Sequence, residues 1–170
     1  LREKDFALDI ARRLSNNLKQ DYNVIMTRSD DTFIPLGTRA QIGNNANADL
    51  FVSIHLNAAS SSSANGAEVF YFSKKESSYA AEVAKFENSV DKGYADVPLS
   101  DFIINDIFYR VNQQKSAALA TDILDNIVNK FGLRKRGVFG ANFAVLRGSN
   151  SPSILVEIGF ITNSGDMSTY

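Results

Sequence analysis

Glu3, His55 and Glu157 have side chains suited to metal-assisted hydrolysis, and each stands next to an element able to hold it rigidly. His55 is the one histidine in 170 residues. It follows Leu50-Phe51-Val52-Ser53-Ile54, a run that reads as a buried strand. An imidazole just past the carboxyl end of such a strand faces the crevice where open α/β sheets place their ligands. Neutral imidazole is also the commonest side-chain metal ligand. Glu157 follows Ile154-Leu155-Val156 and precedes Ile158-Gly159-Phe160. A carboxylate at the end of an apolar strand is costly unless it is paired, solvated in a cleft or beside a metal. If these groups share a crevice, they have the chemistry of a hydrolytic zinc site. Imidazole and carboxylate hold the metal with one position left open. A second carboxylate, not a ligand, takes the proton from water. Plainer readings exist for each. A lone histidine beside a strand is often a hydrogen-bonded structural residue. Glu3 serves equally as a first-turn acid facing the helix dipole, worth about 0.3–1 kcal/mol. Glu157 serves as an acceptor for backbone amides, and Arg28 and Arg39 as surface charges.

The elements that must position these groups follow from periodicity. Phe6, Ile10, Leu14 and Leu18 recur every four residues, which predicts an amphipathic helix of about four turns. Val24–Thr27 reads as a strand, Leu36–Asn47 as a weaker helix and Leu50–Ile54 as a strand ending before His55. The Ser60–Ser63 run with Asn65-Gly66 is a loop, and Val69–Phe72 a strand. A helix is predicted from Ser77 to about Phe86, with Ser77 or Ser78 as its cap. Asn88–Pro98 reads as irregular, followed by a short amphipathic piece around Phe102, Ile103 and Ile107. Leu119, Ile123, Ile127 and Phe131 mark a long helix ending at Gly132. Val138–Leu146 reads as extended, Ser153–Val156 as a buried strand, Gly159–Asn163 as a loop and the tail from Ser164 as the start of a helix. Strands alternating with helices predict a single three-layer α/β domain, its twisted, mostly parallel sheet covered by helices on both faces.

Composition bounds the function. With 18 basic and 19 acidic residues the net charge is -1, which provides no electrostatic footprint for nucleic acid. No apolar run approaches the roughly 20 residues of a membrane span. The absence of cysteine excludes disulfides, thiolate zinc sites and cysteine nucleophiles. No glycine-rich phosphate loop is present.

The order of motifs carries more. Glu3-Lys4 opens the first helix; Thr27-Arg28-Ser29-Asp30-Asp31 and Leu36-x-x-Arg39 follow. Next come Asn47-Ala48-Asp49-Leu50-Phe51-Val52-Ser53-Ile54-His55-Leu56-Asn57-Ala58 and Gly66-x-Glu68-Val69-Phe70-Tyr71. Val145-Leu146-Arg147 and Pro152-Ser153-Ile154-Leu155-Val156-Glu157-Ile158-Gly159-Phe160-Ile161-Thr162-Asn163 complete it. Over nearly its whole length the chain resembles the zinc-dependent N-acetylmuramoyl-L-alanine amidases, the Amidase_3 family of bacterial cell-wall hydrolases.

The resemblance implies an enzyme that cleaves the amide between N-acetylmuramic acid and the L-alanine of the peptidoglycan stem peptide. It implies zinc as cofactor, Glu3 and His55 as metal ligands and Glu157 as general base. Asn57 and Arg39 match positions near the cleft, with support or substrate roles. The substrate implies a periplasmic or exported protein. One departure stands out. The family's first ligand is a histidine in a Gly-His-Gly-Gly strand end upstream of the glutamate, and this chain begins at the glutamate. The expectation is therefore a single catalytic domain over residues 1–170 lacking its N-terminal strand, one that in this form binds zinc poorly and is inactive. The segment from about 86 to 114 is longer than a strand–helix link requires. It resembles the regulatory insertion of the division-associated amidases, in which a helix blocks the site until an activator protein docks. Glu87 is then the candidate inhibitory zinc ligand. Tyr79, Phe86, Phe102, Ile103, Ile107 and Phe108 either pack against the body or meet that partner. The rival reading is a non-catalytic peptidoglycan-binding or regulatory domain that has lost its metal.

Overall fold

The structure, a computed structural model, describes residues 1–101 and 106–170. Within them a four-stranded sheet is built from β1 (Phe51–Asn57), β2 (Ala67–Phe72), β3 (Lys135–Ala141) and β4 (Ser153–Phe160), in the spatial order β1-β4-β2-β3. β1 runs parallel to β4 and β2 parallel to β3, while β2 and β4 are antiparallel. The sheet is thus mixed and mostly parallel. β4 lies inside it, and all eight of its residues are buried, which is why this stretch reads as a nearly unbroken apolar run.

Strand alternation sends successive side chains to opposite faces, and each face has its own core. On one, Leu56, Val69, Ile154, Val156 and Ile158 meet α1 (Glu3–Leu18) through Phe6 and Ile10, and α5 (Asp106–Phe131) through Ala120 and Leu124. On the other, Phe51, Phe70 and Leu155 meet α2 (Leu36–Asn45), α3 (Ser78–Asn88) and α6 (Ala144–Arg147) through Leu36, Ala80, Ala84 and Leu146. Phe70 anchors this second core against Phe143, with ring centroids 4.8 Å apart. The expected three layers are present.

Several boundaries differ from the sequence reading. Residues 24–27 form no strand: among the described residues the segment has no paired neighbour, Ile25 is exposed, and Arg28 ties the chain down by donating to the Lys4 and Asp30 carbonyls. The strands before His55 and Glu157 do not stop short of them. β1 continues to Asn57 and β4 to Phe160 because parallel pairing persists to the His55–Glu157 level and resumes, shifted, at Asn57 and Phe160. Gly159, at φ +153°, accommodates that irregularity. The predicted extended stretch 138–146 divides into β3, which starts earlier at Lys135, and the single turn of α6. Residues 88–101 hold short helical turns rather than irregular chain: 3₁₀ turns at Ser89–Asp91 and Leu99–Asp101 flank α4 (Lys92–Ala95). α5 begins at Asp106, well before the apolar stripe at Leu119 that marks it in sequence. Ile107 and Phe108 belong to its first turn and are exposed, whereas Phe102 and Ile103 lie outside the described residues. The tail from Ser164 turns into α7 (Ser164–Met167), capped by Asn163.

Candidate metal and catalytic site

β1 and β4 bring His55 and Glu157 level with each other, because the two are register partners. Both point to the α2/α3/α6 face, since they alternate with Ile54, Leu56, Val156 and Ile158, which point the other way. Glu68 of β2 is the register partner of Glu157 on its far side. One polar row, His55–Glu157–Glu68, therefore crosses three adjacent strands on one face of the sheet.

Two further carboxylates reach this row from helices. Glu3 occupies the first turn of α1, whose packing on β1 carries it to His55. Its Oε1 lies 3.0 Å from His55 Nδ1 and also accepts the Leu56 amide at 3.1 Å. Glu87 comes from the last turn of α3. Ser77 caps that helix by accepting from the Ala80 amide, and Ala80, Ala84 and Glu87 lie on its buried face at helical spacing. Asn88 locks the helix end by donating to the Asn142 carbonyl at 2.9 Å and accepting from the Ala144 amide at 2.8 Å. Glu87 Oε2 thus stands 3.0 Å from the same Nδ1. Ser53, two residues before His55 on the same strand face, places its Oγ 2.8 Å from Nε2. With Ser53 accepting the Nε2 proton, Nδ1 keeps its lone pair free for a metal, the role of outer partners at histidine sites.

Electrostatics single out Glu157. It is fully buried, and among the described residues its oxygens meet no donor, only the Glu87 carboxylate, with which it shares a hydrogen bond when one of the two is protonated. Burial, reinforced by the charge of Glu87, raises its pKa well above the usual glutamate value. Burial alone would lower the His55 pKa, but Glu87, Glu3 and Glu157 outweigh it and hold the ring protonated well above its ordinary range. Glu87 shifts the opposite way: burial opposes its ionisation, and the His55 imidazolium overcomes that and lowers its pKa. Glu68, equally buried, is fully compensated. It accepts from Asn57 Nδ2 at 2.8 Å, Tyr79 Oη at 2.6 Å and Arg136 Nε at 3.1 Å. In return burial and this carboxylate push the Tyr79 hydroxyl up to about 12.

The donor set fits a zinc-type ion. One ligand atom from each of Glu3, His55 and Glu87 lies within 4.8 Å of the others. Imidazole with carboxylates suits zinc better than the all-oxygen cages of calcium or magnesium. Glu87 Oε1 and both Glu157 oxygens are buried and, among the described residues, meet no donor, a cost that a neighbouring cation offsets.

The structure brings together Glu3, His55, Glu87 and Glu157 from the sequence reading. Asn57 stands behind them on Glu68. Arg39, donating to the Ile34 carbonyl at 2.7 Å, is part-buried within the field of Glu87, Asp91 and Glu3. Sequence reasoning assigned no role to Ser53, Glu68 or Arg136. Strand alternation from His55 would have found Ser53. Glu68 was visible only as part of Gly66-x-Glu68, and no signal pointed to Arg136.

Comparison with known proteins places the chain in a family. Residues 1–170 match the family model Amidase_3, N-acetylmuramoyl-L-alanine amidase. The chain is similar to the N-acetylmuramoyl-L-alanine amidase AmiC of Neisseria meningitidis serogroup B, at 39% identity over 174 residues, 98% of this chain and 42% of that protein. It therefore spans about two fifths of the length of this curated relative. Among solved structures it resembles the N-acetylmuramoyl-L-alanine amidase from Clostridium difficile 630, with 33% identity and a TM-score of 0.72 over 99% of this chain and 72% of that one. It also resembles the CwlD amidase from Clostridioides difficile, solved in complex with the GerS lipoprotein, with 26% identity and a TM-score of 0.67 over 98% and 74% of the two chains. The chain belongs to the Amidase_3 family of N-acetylmuramoyl-L-alanine amidases.

Proposed function

We propose that this chain is the catalytic domain of an enzyme that hydrolyses the amide joining N-acetylmuramic acid to L-alanine in peptidoglycan, with Glu157 as general base and Glu3 and His55 as ligands of a catalytic zinc ion, and that the chain by itself is inactive. The observation that carries this reading is Glu157 itself. It is a fully buried carboxylate with, among the described residues, no donor to either oxygen, level with an imidazole that has two carboxylates at its Nδ1. A carboxylate that only served stability would be hydrogen-bonded, as Glu68 is. Zinc, when bound, supplies the Lewis acidity that polarises the scissile carbonyl and makes water easier to deprotonate. Glu157, its basicity raised by burial, takes the proton from the attacking water. The water oxygen bonds to the carbonyl carbon, the carbon–nitrogen bond breaks, and Glu157 returns the proton to the departing alanine nitrogen.

Glu87 is proposed as an inhibitory ligand occupying the position that water requires. The segment from 86 to 114, which includes the end of α3, α4 and the opening of α5, is proposed as the device that carries it and as the docking site of an activator protein. Polar ties support this reading. Arg147 donates to the Ala95 carbonyl at 3.2 Å and also to that of Tyr94, and Asp91 accepts from the Leu36 amide at 3.1 Å. Phe86 and Val90 stand exposed beside them. The CwlD amidase, whose structure is in complex with a lipoprotein, is a precedent for such a partner. Among the described residues no helix is long and apolar enough to cross a membrane. The proposed substrate makes the protein an exported or periplasmic one.

The test is a zymogram and a soluble-muropeptide assay on the full-length protein with purified peptidoglycan, with Glu157→Ala as control. Release of free L-alanine amino termini by wild type and not by the variant is expected. Binding of peptidoglycan with no amide cleavage would instead favour the rival non-catalytic domain.

A further inference from the structure

Beyond the reacting centre lies a recess of about 200 Å³ lined by Glu68, Tyr79, Arg134, Arg136 and Phe139. We propose that it is a subsite for a carboxylate of the substrate, the one on the acidic residue following L-alanine in the stem peptide, with Arg134 as its specificity-determining side chain. This rests on the amidase reading above.

Position comes first. In the order β1-β4-β2-β3 the candidate metal ligand lies on β1, the base on β4, and the recess over β2 and β3. Strands are about 4.8 Å apart, so the recess begins roughly 5 Å from the strand of Glu157 and extends to roughly 10 Å. At about 3.5 Å per residue, that is the reach of alanine and the residue after it.

Charge is the second argument. Two guanidinium groups face one carboxylate there. Glu68 already accepts from Asn57, Tyr79 and Arg136, so its charge is spent internally and the balance offered to an incoming group is positive. Arg136 is fixed. Besides Glu68 it donates to Tyr79 Oη at 3.1 Å and the Asn65 carbonyl at 3.3 Å, and its guanidinium lies over the Phe160 ring at 4.9 Å. Arg134 is exposed, and among the described residues its side chain makes no hydrogen bond or ion pair. A planar fork beside an immobilised second guanidinium is suited to bidentate capture of a carboxylate. Tyr79 and Phe139, in edge contact with centroids 5.5 Å apart, wall the recess for the methylenes that carry such a group.

Backbone construction is the third. The Arg134 carbonyl accepts the Ala67 amide at 2.9 Å, joining it to the start of β2. Gly66 makes this approach possible. Its φ is +105°, and a Cβ there would sit 2.4 Å from the Arg134 carbonyl oxygen. The Gly66-x-Glu68 pair thus both seats Arg134 and provides the carboxylate that orients Arg136.

The experiment compares two synthetic muramoyl peptides on the full-length, zinc-loaded protein. One carries the residue after L-alanine as the free acid, the other as the amide. Wild type is expected to prefer the free acid by about tenfold or more in kcat/KM, the ratio that about 1.4 kcal/mol produces. Arg134→Gln should bring that ratio toward one, and Arg134→Lys should restore part of it. Equal kcat/KM values in wild type, or a preference that survives Arg134→Gln, overturns the subsite. If neither peptide is cleaved, the amidase reading fails and calorimetric binding of the same two peptides decides this one. A tenfold preference in Kd that Arg134→Gln abolishes supports the recess, and equal Kd values refute it.

Discussion

Replacing Glu157 by leucine should abolish activity and make the metal-free protein more stable. Glu157 is fully buried with, among the described residues, no donor to either oxygen, next to the ionised Glu87 and level with Glu68. A buried unsatisfied polar group costs about 1–3 kcal/mol, and a charged one more. Leucine removes that cost and places an apolar side chain beside Leu155 and Phe70 on a covered face. We expect a gain of about 1–3 kcal/mol, which for a chain of this size raises Tm by roughly 2–4 °C per kcal/mol. The pH dependence fixes the cause. The folded-state pKa of Glu157 is raised, so neutralising it favours the fold. Its contribution is fully present below the ordinary value of 4.5 and is lost as pH rises through the folded value. The advantage of Glu157→Leu should therefore be large at neutral pH and shrink toward pH 4. The assay is denaturant unfolding in chelator, so that metal linkage does not enter, alongside amide hydrolysis, where loss of a general base lowers kcat by about 10²–10⁴-fold. A loss of stability on Glu157→Leu comparable to that of an ordinary buried ion-pair deletion would refute the reasoning and make Glu157 a structural residue.

The neighbouring glutamate should respond in the opposite way. Glu68→Leu leaves the Tyr79 hydroxyl, the Asn57 amide and the Arg136 guanidinium without their acceptor, and unfolding experiments should show a loss of about 3–5 kcal/mol. Gly66→Ala combines a left-handed φ with a Cβ at 2.4 Å from backbone, so its Tm should fall while the conservative Gly93→Ala, which meets nothing within 4 Å, leaves Tm nearly unchanged. His55 yields a single imidazole signal in proton NMR. In the metal-free protein its midpoint should lie above 6.5, with the stability of its pairing lost as pH rises through that midpoint, and stoichiometric zinc should stop the titration. Ser53→Ala should weaken zinc binding by about 10–100-fold in competition with a chromogenic chelator while leaving the fold intact.

Much of the fold was legible because its strands are short apolar runs with punctuation and its helices carry four-residue stripes. The failures have particular causes. Residues 24–27 have strand composition but, among the described residues, no neighbour to pair with, and pairing is not a local property. The opening of α5 is polar and carries no stripe, so the long helix was visible only from Leu119 onward. His55 and Glu157 were placed beyond their strands because polar residues were read as ends. In fact the pairing runs past them, and the sheet carries its polar row inside its own strands. Glu3, His55 and Glu157 stand out in sequence by residue type beside strand and helix ends, Glu87 by resemblance to a regulatory insertion, and the fold gathers all four. Ser53, Glu68 and Arg136 were not assigned roles, since a partner that orients or neutralises another group is defined by contacts across strands, not by spacing along one.

Glu87 ties these observations together. Its carboxylate lowers its own pKa through His55, raises that of His55 in return and raises that of Glu157. Burial is the larger cause at Glu157 and Glu87 the second, while at His55 Glu87 acts together with Glu3 and Glu157. In the role proposed for Glu87, whatever withdraws the last turn of α3 must break the Asn88 bonds to Asn142 and Ala144, the Asp91 bond to Leu36, the Arg147 bonds to the Ala95 and Tyr94 carbonyls and the pairing of Glu87 with His55. At about 0.5–1.5 kcal/mol for each neutral bond and more for the charged ones, the total calls for a sizeable apolar contact on the partner. The exposed Phe86 and Val90 lie on the same segment. In the inhibitory reading proposed above, Glu87 is the group that an activator would have to draw out of the site.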